Sequence, residues 1–259
     1  MQSQLFSTYA PIINSLTAGD VRDDDALRQR LQIAASGDFQ VCYTPFDHVN
    51  QCAKVVLVGL TPGMTQLRNG VLALKQQLQL GADATAALAA TKRAGAFSGT
   101  IRPNLVALLD AINLNRRLGL RTCAELFEQR VDLVHTTSVL RHAVFYRGEN
   151  YSGNPRLVRQ PFLRQQVIEL FAPDVSLTPK ALFVPLGDSV AEVLMWLVEE
   201  GVLKRGQILD GLPHPSGANN ERIAYFLGRK SIQALSSRTD PRKLDAARQE
   251  LIGRVAVAL

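Results

Sequence analysis

In GLPHPSGANNERIAYF, Gly211 to Phe226, His214 stands between two prolines, directly after an apolar stretch and ahead of a polar turn that leads into an amphipathic run. Proline removes backbone freedom, so the imidazole is offered from a restrained loop, which suits a preorganised hydrogen-bond donor facing a developing anion. The same residues also make an ordinary proline turn whose histidine bonds to the backbone. Three further places carry polar groups of the same kind: Leu60-Thr61-Pro62-Gly63, His135-Thr136-Thr137-Ser138 and Gly187-Asp188. His135, on an apolar segment, also reads as a satisfied core histidine.

The elements around these groups give them a common origin. KVVLVG at Lys54 is short, valine-rich and ends on a Thr-Pro-Gly turn, which predicts a buried strand. VDLVHT at Val131, ALFVPLG at Ala181 and QILDGLP at Gln207 are of the same kind, and each of the four polar places follows one such segment. Helical stretches lie between them, among them RPNLVALLDAINLNR, and DSVAEVLMWLVEEG with Asp188 or Ser189 as its cap and Gly201 as its close. Alternating strands and helices predict an α/β fold with a four-stranded, mostly parallel sheet covered on both faces. In such sheets ligands bind outside the carboxyl ends of the strands. Phe6, Tyr9, Ile13 and Leu16 predict one leading helix and DDDALRQRLQIAAS another. Residues 64–94 predict two short inserted helices, and the tail PRKLDAARQELIGRVAVAL a closing one. We expect a single domain over 1–259, with a helical extension at 1–50, a core at 54–226 and a final helix at 240–259.

The net charge of +6 and pI near 9.5, with basic clusters at Arg116-Arg117, Arg141–Arg147, Arg156–Arg164 and Arg229-Lys230, favour a polyanionic partner, although each cluster alone also reads as a solvated face. No apolar run reaches the roughly 18 residues that cross a bilayer, and the opening residues lack a signal-peptide pattern. The expectation is a cytoplasmic protein without membrane association. Cys42, Cys52 and Cys123 are scattered and odd in number, so reduced thiols are expected rather than a disulfide framework or a metal site. No metal and no cofactor are expected.

Taken together, the motifs resemble the uracil-DNA glycosylase superfamily over roughly Lys54 to Phe226. GLTPG at Gly59–Gly63 is similar to the family's Gly-x-(Asp/Asn)-Pro motif, HPSG at His214–Gly217 matches its His-Pro-Ser motif, and GAFSGTIRPNL looks like the segment whose aromatic ring, here Phe97, stacks on the extruded base. LVHTTSVL is similar to the base-reading Val-His-Asn segment, with Thr136 in the asparagine's place. The resemblance implies a three-layer α/β/α glycosylase fold, and a catalytic pair of His214 and Thr61. It implies base contacts from Phe97, Thr136, Thr137, Leu60 and Gly63, and DNA contacts from Ser216, Asn219, Arg222 and Ser98. The partner it implies is DNA, single- or double-stranded, with no obligatory protein partner. Cleavage of a base from deoxyribose builds positive charge on the sugar and negative charge on the base. A fixed histidine donor stabilises the charge on the base, and a stacking ring supplies roughly 1 to 3 kcal/mol per base.

The chain departs from the family at two positions. Thr61 stands where a water-activating Asp or Asn is usual, and a hydroxyl is no base at neutral pH. Thr136 replaces the amide that pairs with uracil. Two small hydroxylated residues leave room for a bulkier base, so the resemblance implies a monofunctional glycosylase acting on a modified cytosine such as glucosylated hydroxymethylcytosine in phage DNA. Gln66, Arg68, Arg141, His142, Tyr146, Glu149 and Asn150 are candidate contacts to the extra hydroxyls. The alternatives are a uracil-DNA glycosylase of base-excision repair, a catalytically silent DNA or modified-nucleotide binder, and a nucleotide-sugar hydrolase on a similar scaffold.

Overall fold

The computed structural model describes residues 4–95 and 101–257. Along the chain come helices α1 (Gln4–Ser15), α2 (Ala18–Arg22) and α3 (Asp24–Leu31), strands β1 (Gln32–Ser36), β2 (Phe39–Cys42) and β3 (Val55–Gly59), and helices α4 (Met64–Gln79), α5 (Ala84–Gly95), α6 (Ile101–Ala111) and α7 (Leu114–Arg117). Then follow β4 (Val134–Ser138), β5 (Ala143–Tyr146), β6 (Glu149–Asn150), α8 (Pro161–Gln166), α9 (Ala172–Leu177), β7 (Leu182–Pro185), α10 (Asp188–Glu199), α11 (Asn220–Phe226) and α12 (Pro241–Val257). The result is a mixed α/β structure whose sheets include a parallel three-stranded one. The chain divides into two compact units, one of residues 1–49, 60–96 and 136–174, the other of 50–59, 97–135 and 175–259. Among the described residues, no helix is long and apolar enough to cross a membrane.

In the first unit, a capping box between Thr17 and Asp20 starts α2, and the Asp23 carboxylate caps α3 by accepting from the Asp25 and Ala26 N–H groups. Helix α3 stops at Leu31, and the residues after it form an antiparallel sheet ordered β1-β2-β5-β6. The QIAAS segment, expected to continue the helix, is therefore β1. It pairs with β2 across a turn at Gly37, whose φ of +55° suits glycine. Residues 141–155 hold the hairpin of β5 and β6, turned through Arg147 and Gly148 with φ of +53° and +82°. One core joins Phe6, Ile13 and Leu27 of the leading helices to Leu67 and Val71 of α4 and Phe145 of β5.

The other unit has its own core, in which Val55, Leu57, Leu182 and Val184 of the strands meet Leu105, Leu108 and Leu109 of α6 and Leu251 of α12. The three-stranded sheet runs β4-β3-β7, and its β3 and β7, both of this unit, are parallel in register from Val55–Leu182 to Val58–Pro185. Both strands are buried along their whole length, as expected of strands covered on two faces. Two expectations are corrected. The segment from Val131 begins as a 3-10 turn, Val131–Leu133, and becomes a strand only at Val134, because the Asn50 side chain donates to the carbonyls of Val131, Asp132 and Val134 and holds them in a curl. The QILDGLP segment joins β7 by a single parallel bridge, Phe183 to Ile208.

Candidate functional site

His214 lies in the second unit, on the loop that precedes α11. Its ring is half-buried, and burial holds its pKa below the usual imidazole range. The Ser216 N–H donates to His214 Nδ1 at 3.2 Å. An accepting Nδ1 puts the proton of the neutral ring on Nε2. No described residue bonds that nitrogen. Three features fix the loop. Pro213 and Pro215 are both buried, the Asn104 amide of α6 donates to the Pro215 carbonyl at 3.0 Å, and Gly187 at the head of α10 lies against the ring. Gly187 has φ of +101°, and a Cβ there would stand 3.2 Å from His214 Cδ2, so only glycine meets both demands. Gly187, rather than Asp188 or Ser189, is the N-cap of α10.

The histidine opens on a cleft of about 220 Å³ lined by Asp188, Asn219, Arg222, Arg238, Asp240 and Lys243 among others. Arg222 is exposed, donating to the Asn219 side chain and the Arg238 carbonyl at 3.4 and 3.3 Å, while Ser216 Oγ accepts from the Asn219 amide at 3.3 Å. The predicted DNA contacts Ser216, Asn219 and Arg222 therefore form one bonded chain beside His214. Glu221 braces the loop that brings Arg238 to the cleft. Its carboxylate accepts from Lys230, Ser236 and Thr239, which holds its pKa well below the usual range and ties the 229–239 loop to α11. Neither Asn104 nor the α12 residues were legible as site components, because both act through segments distant in the chain from His214.

Thr61 lies in the first unit and is differently employed. Its hydroxyl donates to the His142 carbonyl at 3.0 Å and accepts from the Val144 N–H at 3.0 Å, so it splices the 60–63 loop to β5. Leu60 accepts from the Leu140 N–H through its carbonyl. Gly63 donates to Gln66 Oε1 at 2.8 Å, and Asn150 Oδ1 accepts from Met64 N–H at 2.8 Å, so Gln66 and Asn150 both serve the start of α4. Thr136 and Thr137 lie within β4 instead of after it, the former half-buried and the latter buried. Phe97 and Ser98 lie outside the described residues.

The candidates for extra hydroxyl contacts are largely engaged elsewhere. Arg68 bonds the Val21 carbonyl and pairs with Asp24, and Arg141 is paired with the buried Asp174. Tyr146 packs on Phe39 with ring centroids 4.8 Å apart, and Glu149 belongs to the exposed β6. His142 is fully buried beside Tyr43, and burial lowers its pKa to about 4. His135 is buried too, with Asn50 N–H 3.5 Å from its Nδ1. One ionisable group went unnoticed in the sequence: Lys92 of α5, buried in the first unit, donates to the His48 carbonyl at 2.6 Å, and burial lowers its pKa to about 7 despite Asp174 nearby. An alanine-rich helix carries no mark of a buried lysine. The thiols of Cys42 and Cys123 are buried and pushed up, that of Cys42 to about 12, while Cys52 is exposed.

A protein of Bacillus subtilis strain 168, described as uncharacterized protein YoxB, is 31% identical to the chain over 220 residues, which cover 84% of each. No family model matches the chain, and no solved structure does.

Proposed function

The chain belongs to one family with YoxB of Bacillus subtilis, and from the loop that holds His214 we propose that it is a monofunctional DNA glycosylase that removes a bulky modified cytosine, such as glucosylated hydroxymethylcytosine, and leaves an abasic site. The observation that carries this reading is the state of His214. Its Nδ1 is occupied by the Ser216 N–H, its Nε2 bonds no described residue, and the residue lines a cleft with three cations, Arg222, Arg238 and Lys243, and two carboxylates, Asp188 and Asp240. In the reaction the C1′–N bond breaks and its electron pair leaves with the base. Water adds to C1′, and the proton it releases ends on the base. A neutral imidazole donating to the base's carbonyl oxygen lowers the energy of that anion by about 3 kcal/mol in a site that excludes water. Ser216, Asn219 and Arg222 would hold the phosphate next to the extruded nucleotide, and salt would weaken that hold. The reading also carries the three-layer glycosylase arrangement, with the Ile208 bridge as the rudiment of a fourth strand.

Excision is tested by incubating the protein with DNA containing cytosine, uracil, hydroxymethylcytosine or its glucosylated form, then scoring alkali-labile sites, with His214→Ala alongside. Abasic sites in glucosylated DNA alone are expected. Sites in uracil DNA would return the chain to ordinary base-excision repair. A competing reading, a silent DNA binder, draws on Thr61, whose hydroxyl is already committed to His142 and Val144. It requires intact DNA binding with no abasic sites on any substrate.

A further inference from the structure

We propose that the cavity lined by Lys54, Arg117 and Lys180 is a second anion site, separate from the His214 cleft, that binds the di- or triphosphate group of a small molecule. The cavity holds about 390 Å³ and is completed by Leu118 and Leu133, a size within the ordinary range of small-ligand sites. Its three cations reach it from three parts of the second unit. Lys54 directly precedes β3, Lys180 comes just before β7, and Arg117 ends α7. No Asp or Glu is among the residues lining it. The nearest carboxylate in sequence, Asp132, is held by both nitrogens of a fork from Arg130 at 3.0 Å. Neither Lys54 nor Lys180 has an ion-pair partner among the described residues.

Converging like charges repel, and an oligophosphate of about three to four negative charges at neutral pH relieves that repulsion where a single carboxylate does not. Leu118 and Leu133 give the cavity an apolar side, against which a charge contact is less screened than in open water. Convergence on one cavity also differs from a stripe of cations along a surface, which is how a nucleic-acid backbone is tracked. The two sites lie at opposite ends of the same strands. Lys54 and Lys180 precede the amino ends of the parallel β3 and β7, whereas His214 packs on Gly187 beyond the carboxyl end of β7. Strands of four and five residues separate such ends by about 13 to 17 Å, so one ligand group does not occupy both.

The test is calorimetric titration of the full chain with inorganic pyrophosphate at fixed ionic strength. It compares Lys54→Met/Lys180→Met with Arg222→Met/Lys243→Met, which removes equal charge from the His214 cleft. All four side chains are exposed, and the thermal midpoint of each variant checks its fold. The first pair is expected to weaken pyrophosphate binding tenfold or more and the other pair less than twofold. Repeating the titration with ADP tells the two sources of the group apart. Competition by ADP assigns the site to nucleotides, and its absence assigns it to free oligophosphate. Equal weakening by both pairs, no pyrophosphate binding by the parent at millimolar concentration, or tighter binding of a DNA strand without terminal phosphates that is lost with Lys54 and Lys180 would each overturn the proposal.

Discussion

The Thr61 loop of the first unit and the His214 loop of the other unit share one pattern of residues. Each follows an apolar segment, each contains proline and glycine, and each sets a polar side chain beside a proline. Their atoms are used in opposite ways. Both bonding directions of the Thr61 hydroxyl are taken up by His142 and by Val144 of β5, whereas His214 spends one nitrogen on Ser216 and leaves the other unbonded by any described residue. The Thr61 loop uses its polar group to close the structure, and the His214 loop uses its structure to hold a polar group open. A motif thus identifies a loop, and the bonds within it decide whether the loop can act on anything else.

Replacing His214 is the strongest way to break this contrast. His214→Ala should lower single-turnover excision about 10²- to 10³-fold while leaving DNA affinity nearly unchanged; an unaltered rate would remove the histidine from the chemistry. Acid sets His214 against His142. For His142 the folded pKa is lowered to about 4 from 6.5, so the unfolded chain takes up the proton first. Its contribution to stability is whole above pH 6.5 and is lost as pH falls from there to about 4, with a ceiling of about 3 kcal/mol. Urea midpoints at pH 7 and pH 4.5 should show that loss, and His142→Phe should flatten the profile more than His214→Ala, because burial lowers both pKa values but that of His142 further.

Gly187→Ala tests the fixed ring. A positive φ and a Cβ 3.2 Å from the imidazole should together cost about 1 to 3 kcal/mol of stability, read from the thermal midpoint, and slow excision at least tenfold. A normal rate would mean that the ring tolerates displacement. Thr61→Val has the mildest expected effect: about 1 to 2 kcal/mol of stability, since the carbonyl of His142 and the N–H of Val144 lose a partner, with kcat within a few-fold of the parent. A large fall in kcat without a fall in midpoint would turn Thr61 from brace to catalyst.

How much was legible varied with how local the cause was. The strands β3 and β7 announce themselves because both faces are buried and every residue can be apolar. Helix α10 is legible from its periodicity and its closing Gly201, with φ of +74°. The antiparallel sheet of the first unit was not legible. β1 is partly exposed and built of Gln, Ile, Ala and Ser, and β2 finds its partner β5 about a hundred residues later. The predicted strand at Val131 slid to Val134 for a similar reason, since Asn50, some eighty residues earlier, supplies the bonds that curl its first turn.

The sequence by itself determined the polar groups at the ends of the apolar segments and the prolines that restrain His214, because φ restriction and hydrophobic run length are properties of neighbours in the chain. Only the tertiary structure decided which of those groups remain open. Ser216 sets the tautomer of His214, Asn104 and Gly187 fix its loop, α12 supplies Lys243 to its cleft, and β5 consumes Thr61. Most of these partners lie tens of residues away, and a hydrogen bond depends on distance and direction in space, which spacing along a chain does not encode.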